Sequence, residues 1–138
     1  MYYPIYPEGL KNAIVRSSKY NIPMYVTETG CADRLDNGRR AAWIDGYMKT
    51  VLDSIGEGYD VRGFYYWTLM DNFEWAAGFT MRFGLYQWES DGSVDRVLRE
   101  GGKVLAKFFL TIPDKLEDLR SLAIKASKSS WEKILGWK

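Results

Sequence analysis

MYVTETG, residues 24–30, is a short apolar run that stops abruptly at a carboxylate and a glycine. Met24 to Thr27 reads as a buried strand, bounded upstream by Asn21-Ile22-Pro23 and downstream by the polar loop TGCADRLDNG. A charge is costly to bury, so Glu28 at the mouth of such a strand needs a reason. From Arg39 onward the apolar period changes. Ile44, Tyr47, Met48, Val51, Leu52 and Ile55 recur at steps of three and four, the stripe of a helix that Gly56 and Gly58 close. Val61–Trp67, VRGFYYW, is rich in β-branched and aromatic residues and reads as a second strand. Strand, helix, strand in this order predicts a parallel βαβ unit.

Outside this unit, the segment from Pro7 to about residue 19 predicts a helix with proline in its first turn and Leu10, Ala13, Ile14 and Ser17 on one face. Residues 68–92 read as a long loop holding a short β piece at Phe83–Trp88, and loops of that size usually serve a function. Val94–Phe109 predicts a helix weakened in its middle by Gly101-Gly102. Asp114 to about Ser127 has the pattern of another amphipathic helix. A capping box at Ser129–Glu132 opens a last short one carrying Trp131, Ile134 and Leu135.

Composition excludes several chemistries. No histidine occurs among the 138 residues, which removes His-based general bases, Ser-His-Asp triads and His metal sites. Cys31 is the single cysteine, so an internal disulfide and a Cys-rich metal site are excluded too. With 19 basic against 18 acidic residues the net charge is +1, which gives no nucleic-acid footprint and no membrane-surface patch. Met1 is followed by YYPIYPEGL, which has neither a basic nor an apolar leader region, and a reducing cytoplasm is the expected compartment. The anomaly is aromatic content: six Trp, ten Tyr and six Phe, or 16% of the chain. Such rings usually fill a core, but beside carboxylates they form surfaces on which sugars stack.

Both predicted strands end in suggestive residues: Glu28 after the first; Trp67, Asp71, Asn72, Glu74 and Trp75 after the second. Adjacent parallel strands lie about 4.8 Å apart, and in parallel α/β folds the ligand crevice sits at their carboxyl ends. Carboxylates among indoles suit glycoside chemistry, in which two carboxyl groups about 5–5.5 Å apart act as nucleophile and acid in retaining enzymes. On composition alone Glu28 would pair with Glu74. Glu28 capping the next turn, with Glu74 a solvated loop residue, fits the same pattern.

IYPEGL at 5–10, VTETG at 26–30 and DVRGFYYWTLMDNFEWAAGFTMRFGLY at 60–86 resemble the C-terminal part of glycoside hydrolase family 1, the family of β-glucosidases and related retaining β-glycosidases. The similarity runs from about residue 3 to about 109. It implies an α/β fold, part of a β/α (TIM-type) barrel with its last two parallel strands and flanking helices over 1–110; the residues beyond, 111–138, read from their own pattern as an amphipathic helical tail. It also implies roles. Glu28 takes the position of the catalytic nucleophile and Trp67 that of the platform under the glycone. Glu74 and Trp75 take those of the carboxylate and indole that bind the outer hydroxyls of unphosphorylated sugars, and Phe83 that of an aromatic wall. Glu74 then serves specificity rather than acid catalysis. The implied ligand is a β-linked glucoside or related sugar, with no cofactor and no metal.

The chain departs from the family pattern in several places. Thr29 stands where Asn usually follows the nucleophile, and Tyr3 stands for a Trp. Arg40, Trp43 and Ile44 resemble an Arg-x-x-Tyr-Leu pattern, with Trp43 in place of the Tyr, and its customary His is Tyr47 here. The Asn-Glu-Pro segment carrying the family's general acid/base is absent from these 138 residues, as are the earlier glycone-binding strands. Loss of a general acid forfeits roughly 10²–10⁴ in rate. Two parallel strands alone would leave open edges, so the expectation is self-association or a complementing barrel segment, with the tail folding over an edge as the other solution. A non-catalytic structural or interaction subunit derived from a truncated glycosidase is the alternative to the enzyme.

Overall fold

The computed structural model describes residues 4–89 and 95–111. Helix α1 (Pro7–Ser18) leads into strand β1 (Met24–Thr29), helix α2 (Arg39–Gly56) and strand β2 (Val61–Tyr66). β1 and β2 pair in parallel, with Met24 opposite Val61, Tyr25 opposite Gly63, Val26 opposite Phe64 and Thr29 opposite Tyr66. The βαβ reading of residues 24–67 therefore holds, with the first strand running two residues further than its apolar run. The register slips between Val26 and Thr29, so Glu28 lies in an irregular stretch of the ladder.

The stripe on α2 buries as its spacing requires. Ile14, Val51, Ile55 and Val61 form one core cluster, and Ile44, Met48, Leu85 and Leu105 a second; Phe64 packs against both. The start of α2 is fixed by the Asp33 carboxylate, which accepts hydrogen bonds from the backbone N–H of Asn37 and of Arg40, placing negative charge at the helix N-terminus. At the other end Gly58 takes φ +96°, the left-handed conformation that terminates helices cheaply only in glycine.

The segment after β2 differs from its sequence reading. Within the expected β piece at 83–88, only Tyr86–Gln87 forms a strand, β3, and its partner is β4 (Val97–Leu98), residues that periodicity assigned to a helix. The helix begins at residue 100 and the described part runs to 111. Gly101 and Gly102 therefore sit in its first turn rather than its middle. Their reason is close approach: a Cβ at Gly101 would stand 2.6 Å from Arg40 Cγ, and one at Gly102 2.3 Å from Leu98 Cδ1. The helices expected over 114–127 and from 129, the tail boundary they define, and Tyr3 lie outside the described residues. Among those residues no helix is long and apolar enough to cross a membrane.

Candidate functional site

The loop after β1 and the long loop after β2 meet at the carboxyl ends of the two strands, and buried polar groups stitch them together. Arg40, fully buried on the first turn of α2, donates from Nη2 to the carbonyls of Asp33 and Arg82, both at 2.7 Å. The Asp33 N–H also reaches the Arg82 carbonyl at 3.0 Å. The Tyr66 hydroxyl donates to the Phe83 carbonyl at 3.3 Å. The loop after β1 and the stretch around 82–83 are thereby held to one another.

Asp71 organises the long loop. Its two carboxylate oxygens accept from Arg99 Nη1 and Nη2, each at 2.8 Å, and from the backbone N–H of Gly84 at 2.9 Å and of Trp88 at 3.3 Å. Burial raises its pKa, but these donors outweigh burial and hold the carboxyl below its ordinary value of 3.8. With its base pinned, the loop turns through a 3-10 segment, Trp75–Thr80, that presents Glu74. Asn72 Nδ2 donates to Glu74 Oε2 at 2.7 Å, which fixes one oxygen of that carboxylate and leaves the other for a ligand.

Glu28, Thr29, Gly30, Trp43, Tyr47, Trp67, Glu74 and Phe83 line one open hollow of about 350 Å³. Four of the five residues singled out from sequence thus share a single concavity at the strand ends. Glu28 enters from β1, Trp67 from the end of β2, Glu74 from the long loop, and Phe83 forms a buried wall. The Trp67–Thr68 peptide is cis. Trp75 is the exception: its ring is 85% exposed and does not line the hollow, and its backbone holds φ +45°, an uncommon conformation for a bulky residue.

The structure adds lining residues that entered the sequence reading only as departures from a pattern. Trp43 and Tyr47, one turn apart on α2, stack with ring centroids 4.5 Å apart and planes 7° from parallel. Trp43 Nε1 donates to Thr29 Oγ1 at 3.1 Å. Gly30 was unassigned; a Cβ there would stand 1.9 Å from the Trp67 carbonyl oxygen. The available signal was the i,i+4 spacing of two aromatics on a helix that follows the strand carrying Glu28. Among the described residues no group of three His, Cys, Asp or Glu side chains is placed to hold a metal.

The sequence pattern of Glycosyl hydrolase family 1 matches residues 1–112. The chain belongs to that family. A β-galactosidase of Pyrococcus woesei is 48% identical over 83 residues, 60% of this chain and 16% of the relative. The 4-hydroxy-7-methoxy-3-oxo-3,4-dihydro-2H-1,4-benzoxazin-2-yl glucoside β-D-glucosidase 1 of Zea mays is 36% identical over 118 residues, 75% of this chain and 21% of the relative. Among solved structures, a family 1 β-glucosidase from Thermotoga maritima in complex with isofagomine lactam superposes with a TM-score of 0.70 at 28% identity. That match covers 77% of this chain and 26% of the other. A β-glycosidase from Pyrococcus horikoshii gives 0.67 at 34% identity, covering 87% and 26%. The family 1 chain described here thus spans between a sixth and a quarter of the lengths of these relatives.

Proposed function

We infer that this chain carries the nucleophile strand and the glycone-binding loop of a retaining β-glycosidase of the β-glucosidase type. The observation that supports this reading most is the meeting of Glu28, Trp67, Glu74 and Phe83 around one hollow at the carboxyl ends of two parallel strands. β1 and β2 are read as the last two strands of a β/α barrel, whose loops at that end carry the chemistry. Membership of the family and the β-glucosidase and β-galactosidase names of its relatives point to the same substrate class, a β-linked glucoside or related sugar.

In this reading the Glu28 carboxylate attacks the anomeric carbon as the bond to the aglycone oxygen breaks, and an acid protonates the departing oxygen. Water then attacks the glycosyl ester, the same acid/base removes its proton, and Glu28 is released unchanged. Trp67 offers the sugar a flat apolar face, and the free oxygen of Glu74 accepts from glycone hydroxyls. The general acid/base lies beyond these residues, on a barrel segment that would also cover the open edge of β1. Trp75 would join the glycone contacts once that segment encloses the loop.

The test uses a 2-deoxy-2-fluoro glucoside with an activated leaving group, which needs no acid for departure. The expected result is one covalent adduct, mapped to Glu28 by peptide mass analysis and absent in Glu28→Gln. Failure of the chain to form that adduct, with or without a complementing barrel segment, rejects the assignment.

A further inference from the structure

Glu28 lies where the β1–β2 register slips, so the regular ladder does not fix its backbone. The next residue is fixed in two ways. The Thr29 carbonyl accepts from the Trp67 N–H at 2.8 Å, and the Thr29 hydroxyl accepts from Trp43 Nε1 at 3.1 Å. Gly30 then packs directly on the Trp67 carbonyl oxygen. Trp43 is itself held rigidly. It is 7% exposed and stacks on Tyr47, whose hydroxyl donates to the Tyr6 carbonyl at 3.3 Å. An indole N–H can only donate, and a buried one deprived of its acceptor is costly, so the Trp43–Thr29 bond resists being broken.

We propose that Thr29 is the positioning residue of this site: its hydroxyl, anchored by the Trp43 indole, sets the Glu28 carboxylate relative to the Trp67 platform. The inference rests on Glu28 being the nucleophile. It gives the departures at positions 29, 43 and 47 a common role, because all three side chains line the same hollow and form one chain of contacts from α2 to the end of β1. Side chains held by such outer contacts keep a reacting group within the narrow tolerance that attack demands.

The experiment compares the parent chain with Thr29→Val, Thr29→Ser and Trp43→Phe, and with the Thr29→Val/Trp43→Phe double variant. The first readout is hydrogen exchange of the Trp43 indole N–H, identified by the resonance missing in Trp43→Phe. It should be protected in the parent and in Thr29→Ser, and exchange faster in Thr29→Val. The second is the rate of adduct formation at Glu28 with 2-deoxy-2-fluoro-β-glucosyl fluoride. Labelling should slow roughly five- to ten-fold in Thr29→Val and in Trp43→Phe, the worth of one neutral hydrogen bond. Thr29→Ser should stay within about two-fold of the parent, and the double variant should be no slower than the slower single, since both remove one interaction. Equal rates in parent and Thr29→Val, or a Thr29→Ser as slow as Thr29→Val, overturn the proposal and leave Glu28 as nucleophile. If Thr29→Val does not fold, Trp43→Phe labelling at the parent rate overturns it instead. No adduct in any chain, parent included, with the complementing barrel segment absent and with it added, removes the Glu28 assignment and this inference with it.

Discussion

Gly30 and Cys31 are neighbours under opposite constraints. Any side chain at Gly30 must displace backbone, because the obstructing atom is the Trp67 carbonyl oxygen and not a flexible side-chain end. Gly30→Ala is expected to lower stability by about 2 kcal/mol or more, by the overpacking route, and to shift Trp67 away from Glu28. Urea unfolding together with the rate of adduct formation reads both effects. Cys31 is buried, and burial above all pushes its thiol up to about 11, with Arg40 and Arg39 only partly offsetting it. Its proton therefore stays on throughout the neutral range. Iodoacetamide at mildly alkaline pH should modify the folded chain at least ~100-fold more slowly than the urea-unfolded one, where the thiol titrates normally. Labelling at equal rates would show that the loop after β1 opens readily.

At the scale of elements, the long loop depends on one carboxylate, Asp71, paired closely with Arg99 and at 3.4 Å with Arg82. Asp71 lies between β2 and the 3-10 turn, whereas Arg99 lies between β4 and the helix at 100–111, and both are buried. Asp71→Asn leaves the Arg99 guanidinium without its counter-charge, and a cost of about 3–5 kcal/mol is expected near neutrality. The folded-state pKa of Asp71 is depressed, so its contribution is present above the unfolded value and lost as pH falls through the folded one. Parent stability should therefore decline below about pH 4, and the Asp71→Asn chain should show a shallower decline there. Calorimetry across that range decides it; identical acid limbs would remove Asp71 from the account. α2 was legible from its three-and-four spacing, β1 from a short apolar run bounded by turn residues, and β2 from its β-branched and aromatic content. Val97 and Leu98 were not, since two apolar residues before a helical run carry no period. They pair with Tyr86 and Gln87 beside the Arg99–Asp71 bond, whose partners are 28 residues apart, a contact local sequence does not announce.

For the molecule as a whole, two parallel strands leave β1 with one paired edge. Tyr25 and Tyr65 are more than half exposed. Exposed strand edges and aromatic faces favour association. Sedimentation of the isolated chain is expected to show species above 16.0 kDa, and addition of the barrel segment carrying the acid/base should dissolve them into a heterocomplex that gains aryl β-glucosidase turnover. A compact, cooperatively melting monomer with no response to that segment would contradict both expectations. The candidate site was readable in part: Glu28, Trp67, Glu74 and Phe83 emerged from their chemistry and motif. Gly30 did not, because a glycine required by one backbone atom across a strand pair leaves no mark in composition. Trp75 emerged from its motif, yet its ring is 85% exposed and stands outside the hollow.

The groove of about 330 Å³ between α1 and β1 stays open because Ala13 and Ser17, facing it, are small. Bulkier aliphatic groups at those two positions would thicken the packing between helix and strand and slow the chain's unfolding.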